Sequence, residues 1–238
     1  IQVFTKYSVL NGILKKIKNA DSFISLSEIV ITRTAYRLTT KLHEDYPNAI
    51  EQLSKGHAYD MSTNIFDRLP QVFFSEEPKD GDEYARILGR TGNVRSYRYI
   101  KRKYINDVVN YDKFKIFLPK ANGSGSFGEV ISQPLIAEPK TGSTETFLSI
   151  GIFNSIEEAE NCLKYIKCKV SRAMLGVLKT TQDLTPDKWK YVPLQDFSAL
   201  SDIDWSKSIH EIDLQLYHKY NFSNEEITFI EENVKEMS

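Results

Sequence analysis

The clearest strand-like segments of this chain lie ahead of one long amphipathic helix. Ile156, Ala159, Leu163, Ile166, Val170, Ala173, Met174 and Val177 recur at spacings of three and four, the repeat of one helix face. Ser155 and Glu158 stand at capping-box spacing where the stripe begins. The pattern predicts a helix from Ser155 to Lys179, about six turns long. Before it, Tyr84 to Arg90 and Val94 to Arg102 flank the turn-rich Thr91-Gly92-Asn93 and read as a hairpin. Lys115 to Leu118 and Thr146 to Phe153 read as strands, as do the shorter runs Ile29 to Thr32, Gln71 to Ser75 and Trp189 to Val192. Residues 43–55 read as a short helix, and residues 1–40 show no single period. After the long helix come Ser206 to Tyr220 and a second capping box, Ser223 with Glu226, which together make a helical hairpin. Strands then helices, without strict alternation, indicate an α+β fold with a mixed sheet, a long helix and a C-terminal helical subdomain.

A chain of 238 residues, 41% apolar and 26% charged, is large enough for one core or two modest ones. We divide it into a body, residues 1–197, and an acidic helical subdomain, residues 198–238. This composition excludes a disordered chain, a collagen and a disulfide scaffold. No run of about 18 apolar residues predicts a membrane span, and the opening residues carry no signal-peptide pattern. Cys162 and Cys168 lie six apart on one helix, on different faces, and cannot pair. Free cysteines of this kind suit the cytoplasm. The chain opens on Ile1 rather than Met and reads as a piece of a longer protein.

The small net charge of −1 conceals a strong segregation. Residues 86–120 hold ten basic and two acidic residues, whereas residues 197–238 hold three basic and nine acidic ones. A local basic patch is what a phosphate backbone feels. Its centre is a basic and aromatic run: Arg95, Tyr97, Arg98, Tyr99, Lys101, Arg102, Lys103 and Tyr104. As a strand it puts Arg95, Tyr97, Tyr99, Lys101 and Lys103 on one face and Arg98 and Arg102 on the other. Cations supply phosphate attraction, tyrosines supply hydrogen bonds and stacking, and arginine reads guanine. The competing reading is a solvated hairpin whose long side chains snorkel.

Other motifs fail on context. Gly123, Gly125 and Gly128 satisfy G-x-G-x-x-G, but Pro134 and Pro139 stand where the dinucleotide fingerprint needs a helix. No Gly-Lys-Ser/Thr follows, which excludes a Walker A loop. The loop, with Lys120, Asn122 and Ser124, is instead a candidate for contact with phosphate or a base edge. The four histidines have no metal-ligand spacing. Glu77-Pro78-Lys79 and Glu138-Pro139-Lys140 have the ending of a nuclease Glu-x-Lys motif, but each proline opposes the strand that motif needs. No catalytic or metal site is identified.

A further set of residues carries a family resemblance. Phe117-Leu-Pro-Lys-Ala-Asn-Gly-Ser-Gly125 is followed by Thr144-Glu-Thr-Phe147, Ser155-x-Glu157-Glu-Ala159, Tyr165-Ile-Lys, Arg172 and Thr181-Gln182-Asp183. Then come Trp189-Lys-Tyr-Val-Pro193-Leu-Gln-Asp-Phe197, Asp204-Trp205, Leu216-Tyr217-x-Lys-Tyr220 and Glu225-Glu-Ile227-x-Phe-Ile230. The ordered set resembles the C-terminal, target-recognition part of bacterial adenine-specific DNA methyltransferases of type II and type IIG restriction–modification systems. The likeness covers about residues 25–238 and is strongest from residue 111.

In that family an upstream domain binds S-adenosylmethionine and methylates a flipped adenine. Its Asn/Asp-Pro-Pro-Tyr/Phe and Phe-x-Gly-x-Gly motifs do not occur here. The resemblance therefore implies a specificity domain without a cofactor of its own. Its partners would be double-stranded DNA and a methyltransferase domain, to which residues 1–40 connect, and no membrane. On this reading DNA contacts come from Arg95, Tyr97, Arg98, Lys101, Arg102 and Lys103 on the hairpin, and Lys120, Asn122 and Ser124 on the loop. The alternatives are a protein–protein docking module, using the acidic helices and the amphipathic stripe, and a nuclease domain.

Overall fold

The structure is a computed structural model that describes residues 2–20 and 23–237, with side chains from residue 8 on. In chain order the elements are α1 (Gln2–Asn19), β1 (Val30–Ile31), α2 (Thr40–Asp45), α3 (Ala49–Gln52), α4 (Ile65–Arg68), β2 (Tyr84–Thr91) and β3 (Val94–Lys101). They continue with β4 (Phe114–Pro119), β5 (Leu135–Ala137), β6 (Thr141–Ser143), β7 (Phe147–Phe153), α5 (Ile156–Lys167), α6 (Lys169–Leu178), α7 (Ile209–Lys219) and α8 (Asn224–Asn233). This is an α+β fold with two sheets. One has the order β1-β7-β4-β5 and is antiparallel. The other has the order β3-β2-β6, with β2–β3 antiparallel and β2–β6 parallel.

Strand alternation sorts the side chains of the four-stranded sheet into two layers. Phe114, Ile116 and Leu118 of β4, with Leu148 and Ile150 of β7, face the helices. Buried with them are Ile13 and Ile17 of α1, Ile166 of α5, Val170 and Met174 of α6, Leu216 of α7 and Ile230 of α8. The acidic helices thus contribute their apolar faces to this main core. A second core lies under the hairpin, where Ala85, Ile87 and Ile100 meet Leu42, Ile65, Phe66 and Leu69. A small third cluster, Leu88, Phe117, Ala137 and Phe147, joins the two sheets.

The predicted hairpin is present almost residue for residue. The long helix is not continuous. It divides at Cys168, whose φ of −58° and ψ of 148° are not helical. The break is held from outside. Asp213 of α7 accepts hydrogen bonds from the freed N–H groups of Lys169 (2.9 Å) and Val170 (3.0 Å), while Arg172 Nε donates 2.9 Å to Lys167 O at the end of α5. Both cysteines are free and buried, and burial pushes their thiols well above the ordinary range.

Three shorter expectations also change. Residues 2–19 form one helix, because Ile13 and Ile17 find a core to enter. Residues 43–55 split into α2 and α3 on either side of Pro47, which cannot supply the N–H of a continuing turn. Gln71 to Ser75 and Trp189 to Val192 are turns; Phe74 alone bridges to Tyr99, and Pro186–Trp189 is a 3-10 turn. Among the described residues no helix is long and apolar enough to cross a membrane.

Candidate nucleic-acid interface

The hairpin turns through two residues, Gly92 and Asn93, since Thr91 pairs with Val94. Gly92 has φ 57°, the backbone that a type II′ turn requires at its first position and that glycine adopts freely. This register sets Arg90 directly opposite Arg95, and Leu88 opposite Tyr97. One face of the ribbon covers the second core through Ile87 and Ile100. The other carries Leu88 and Tyr97 onto the third cluster.

The basic residues fall into two groups. Those at the base of the ribbon are neutralised by acids. Lys101 pairs with Asp82 and lies 3.6 Å from Asp80, and Arg102 pairs with Asp107. Lys103 lies 2.9 Å from Asp45. Lys103 does not share the face of Arg95. The strand ends at Lys101, and residues 102–104 form a 3-10 turn that buries Tyr104 and sends Lys103 to α2. The hydrogen bond to Asp82 holds Lys101 protonated well above the ordinary lysine range. Asp45 is held far below the carboxylate range by hydrogen bonds from Lys41, Lys103 and Tyr104.

Arg90, Arg95 and Arg98 form the second group, and their partners are neutral. Arg90 Nη2 donates 2.7 Å to Asn93 O at the tip, and its Nε is buried without a partner. Arg95 Nη1 donates 2.9 Å to Gln133 O, and its guanidinium lies 5.4 Å from the Phe147 ring centre. Burial, and then the neighbouring Arg90, lower its pKa from the usual arginine value. Arg98 runs forward along the other face, over Phe66, to donate 3.2 Å to Thr91 Oγ1 and 3.0 Å to Tyr97 O. Tyr97 is half-buried with its ring against the Arg86 guanidinium, at 4.8 Å, so one ring face is occupied. Arg86 itself pairs with Glu138 at 3.2 Å.

The glycine loop has a different occupant from the one its composition suggests. Gly123 and Gly125 have φ of 67° and 91°, and the turn directs successive N–H groups inward, as in an anion-binding nest. The anion is the chain's own Glu129. Its carboxylate accepts Ser124 N at 2.7 Å, Gly125 N at 2.9 Å and Ser124 Oγ at 3.0 Å, and pairs with the nearly buried Lys179. Burial alone would raise this acid; Lys179 and the loop donors outweigh it and hold the carboxyl down at about 2.

Asn122 is 2% exposed and clamps Ser132, accepting its N–H at 2.9 Å and donating 3.4 Å to its carbonyl. Its amide is thus a loop brace turned away from any external ligand. Lys120 is half-buried, and its ammonium has no hydrogen bond or ion pair among the described residues. Beside the loop, a cleft of about 560 Å³ runs between α1, α6 and α8, lined by Leu14, Phe127, Val177 and Phe229.

The structure therefore brings Arg95 together with Arg90 on one face of the ribbon, leaves Arg98 on the other face reaching toward Thr91, and ties the ribbon to the loop through Arg95 and Gln133. It separates Lys101, Arg102 and Lys103 into local ion pairs. Reading Thr91-Gly92-Asn93 as a three-residue turn hides Arg90; the two-residue turn reveals its cross-strand position. The Glu138-Pro139-Lys140 motif lies in the tight connection between β5 and β6, with Lys140 at φ 62° rather than in a strand. No group of three or more potential metal ligands occurs among the described residues.

No protein-family model matches the chain, and no curated protein matches it. Among solved structures it is similar to one described as the type IIG restriction endonuclease BpuSI, with a TM-score of 0.42 and 13% identity. The match covers 95% of this chain and 32% of that one, so the chain spans about a third of that structure's length.

Proposed function

We propose that this chain is a double-stranded DNA target-recognition domain of an adenine-specific methyltransferase from a type II or type IIG restriction–modification system. One observation carries the reading beyond the sequence resemblance. Three guanidiniums, Arg90 and Arg95 on one face and Arg98 on the other, lie toward one end of a hairpin with no carboxylate partner among the described residues, in a molecule that pairs Arg86, Lys101, Arg102 and Lys103 with acids. Like charges directly across a ribbon destabilise it, so the Arg90–Arg95 pair suits a site whose anion arrives from outside. Phosphates would position the domain, and side chains near the tip would meet base edges. S-adenosylmethionine and methyl transfer belong, in this reading, to a separate domain that receives the flipped base.

The test is the salt dependence of binding to a DNA duplex, followed by fluorescence anisotropy. Replacing Arg90, Arg95 and Arg98 by Ala should weaken binding and lower the slope of log K against log salt by roughly one for each phosphate no longer neutralised. A triple variant with unchanged affinity and slope overturns the proposal.

A further inference from the structure

The geometry points to the apex of the β2–β3 hairpin as the base-reading element, with Asn93 and Val94 as the specificity-determining residues for an A·T pair in the major groove. This rests on the DNA-recognition reading and deepens it. Val94 is 70% exposed, a large fraction for a β-branched residue in a strand. Gly92 beside it looks into open space, with nothing within 4 Å of where a Cβ would stand. Asn93 is exposed, and its side-chain amide makes no hydrogen bond among the described residues. Its backbone is nevertheless fixed, because Arg90 Nη2 holds its carbonyl at 2.7 Å. The apex therefore presents a free amide and a free isopropyl group on a pinned turn.

The guanidiniums frame that apex. Arg90 approaches from one face of the ribbon, and Arg98 reaches the level of Thr91 from the other. A two-stranded ribbon fits the major groove, about 12 Å wide, but not the minor groove, about 6 Å wide. Seated there, the arginines would face the two phosphate walls while Asn93 and Val94 project toward the floor. An Asn amide pairs with N6 and N7 of adenine, and an aliphatic side chain packs on the thymine methyl. Together they match the two partners of one base pair or of adjacent A·T pairs.

The experiment is selection from a pool of duplexes randomised at their centre, with the 238-residue chain and its Asn93→Ala and Val94→Ala variants. The wild type should enrich a site containing A·T pairs. Each variant should relax preference at one or two neighbouring A·T positions by about 5- to 150-fold, with the salt slope unchanged. Both residues are exposed, Asn93 on the turn and Val94 at the start of β3, and a thermal melt checks that each variant folds. If the wild type enriches a site that both variants read identically, the inference fails and the DNA-recognition reading stands. If the wild type enriches no site, both fall.

Discussion

Asp213 caps a helix that is not its own: from α7 its carboxylate accepts the N–H of Val170, at 3.0 Å, in the first turn of α6. With Lys169 as its other donor and Arg172, Glu231, Tyr217 and Cys168 around it, it is 1% exposed. Burial, opposed by the two backbone donors, pushes this acid up to about 6. Its folded value thus exceeds the ordinary value of 3.8, so between the two the native state holds more protons than the unfolded chain. Asp213 should therefore make stability fall as pH rises from about 4 to about 6, by an amount on the order of 2 kcal/mol. Asp213→Ala should lose about 1–2 kcal/mol at pH 7 through the missing cap. Urea unfolding of both proteins between pH 4 and 7 checks this; a stability difference that does not change across that window contradicts it.

Lys115 is a buried cation that makes no ion pair among the described residues; Asp112 acts on it only through space. It points from β4 away from the helices, and its ammonium donates to the carbonyls of Asn110 (2.9 Å), Tyr111 (3.0 Å) and Lys113 (3.0 Å). Burial pulls its pKa down to about 7. Since the unfolded lysine titrates near 10.5, the unfolded chain binds more protons between these values, and stability from this group rises with pH over that range. Lys115→Met should abolish that rise. It should also cost about 2–4 kcal/mol at neutral pH by leaving buried carbonyls without a donor. Denaturation of the two proteins at pH 7 and pH 9.5 tests both statements.

Glu129 should be the acid-sensitive element of the loop. Its carboxyl titrates near 2 in the folded chain against 4.5 in a free glutamate, so its stabilisation is complete above 4.5 and disappears as pH falls toward 2. Glu129→Gln should cost about 3 kcal/mol at pH 7, because Lys179 keeps a nearly buried charge without its partner. Thermal melts should show the variant and the wild type converging as the solution is acidified. Parallel curves would remove Glu129 as the cause.

Lys101, Arg102 and Lys103 look as basic in the sequence as the arginines near the tip, but their charge is already spent on Asp82, Asp107 and Asp45. Their triple Ala variant should leave the salt slope of DNA binding within about half a unit of wild type, whereas the Arg90, Arg95 and Arg98 variant lowers it by about one unit or more. Equal losses in the two variants would show that the ion pairs open to phosphate and that the division of the ribbon is not functional.

What could be read from the sequence was local. The hairpin was legible because alternation and a glycine turn lie within 20 residues, and the capping box at Ser223 because donor and acceptor are three residues apart; at Ser155 only the N-cap half formed, since Glu158 turns back to Asn154 N instead. The break at Cys168 was not, since the carboxylate that holds it comes from Asp213, 44 residues beyond Lys169. The fate of Lys103 was hidden likewise, its acid lying 58 residues earlier at Asp45. The glycine loop showed the right chemistry for an anion and gave no sign that Glu129 would fill it. Arg95 and Arg98 bond only neutral groups, whereas Asn122 is committed to Ser132.

The small cluster of Leu88, Phe117, Ala137 and Phe147 has a consequence for aim. There Leu88 of the ribbon packs on Phe117 and Phe147 of the larger sheet, as a shim lies under a blade. If the ribbon tip meets DNA as proposed, homologous chains could redirect the same arginines across a duplex by resizing Phe117 or Phe147 alone. Reach would then diverge without any change in charge, and two proteins with identical tips could address DNA at different offsets.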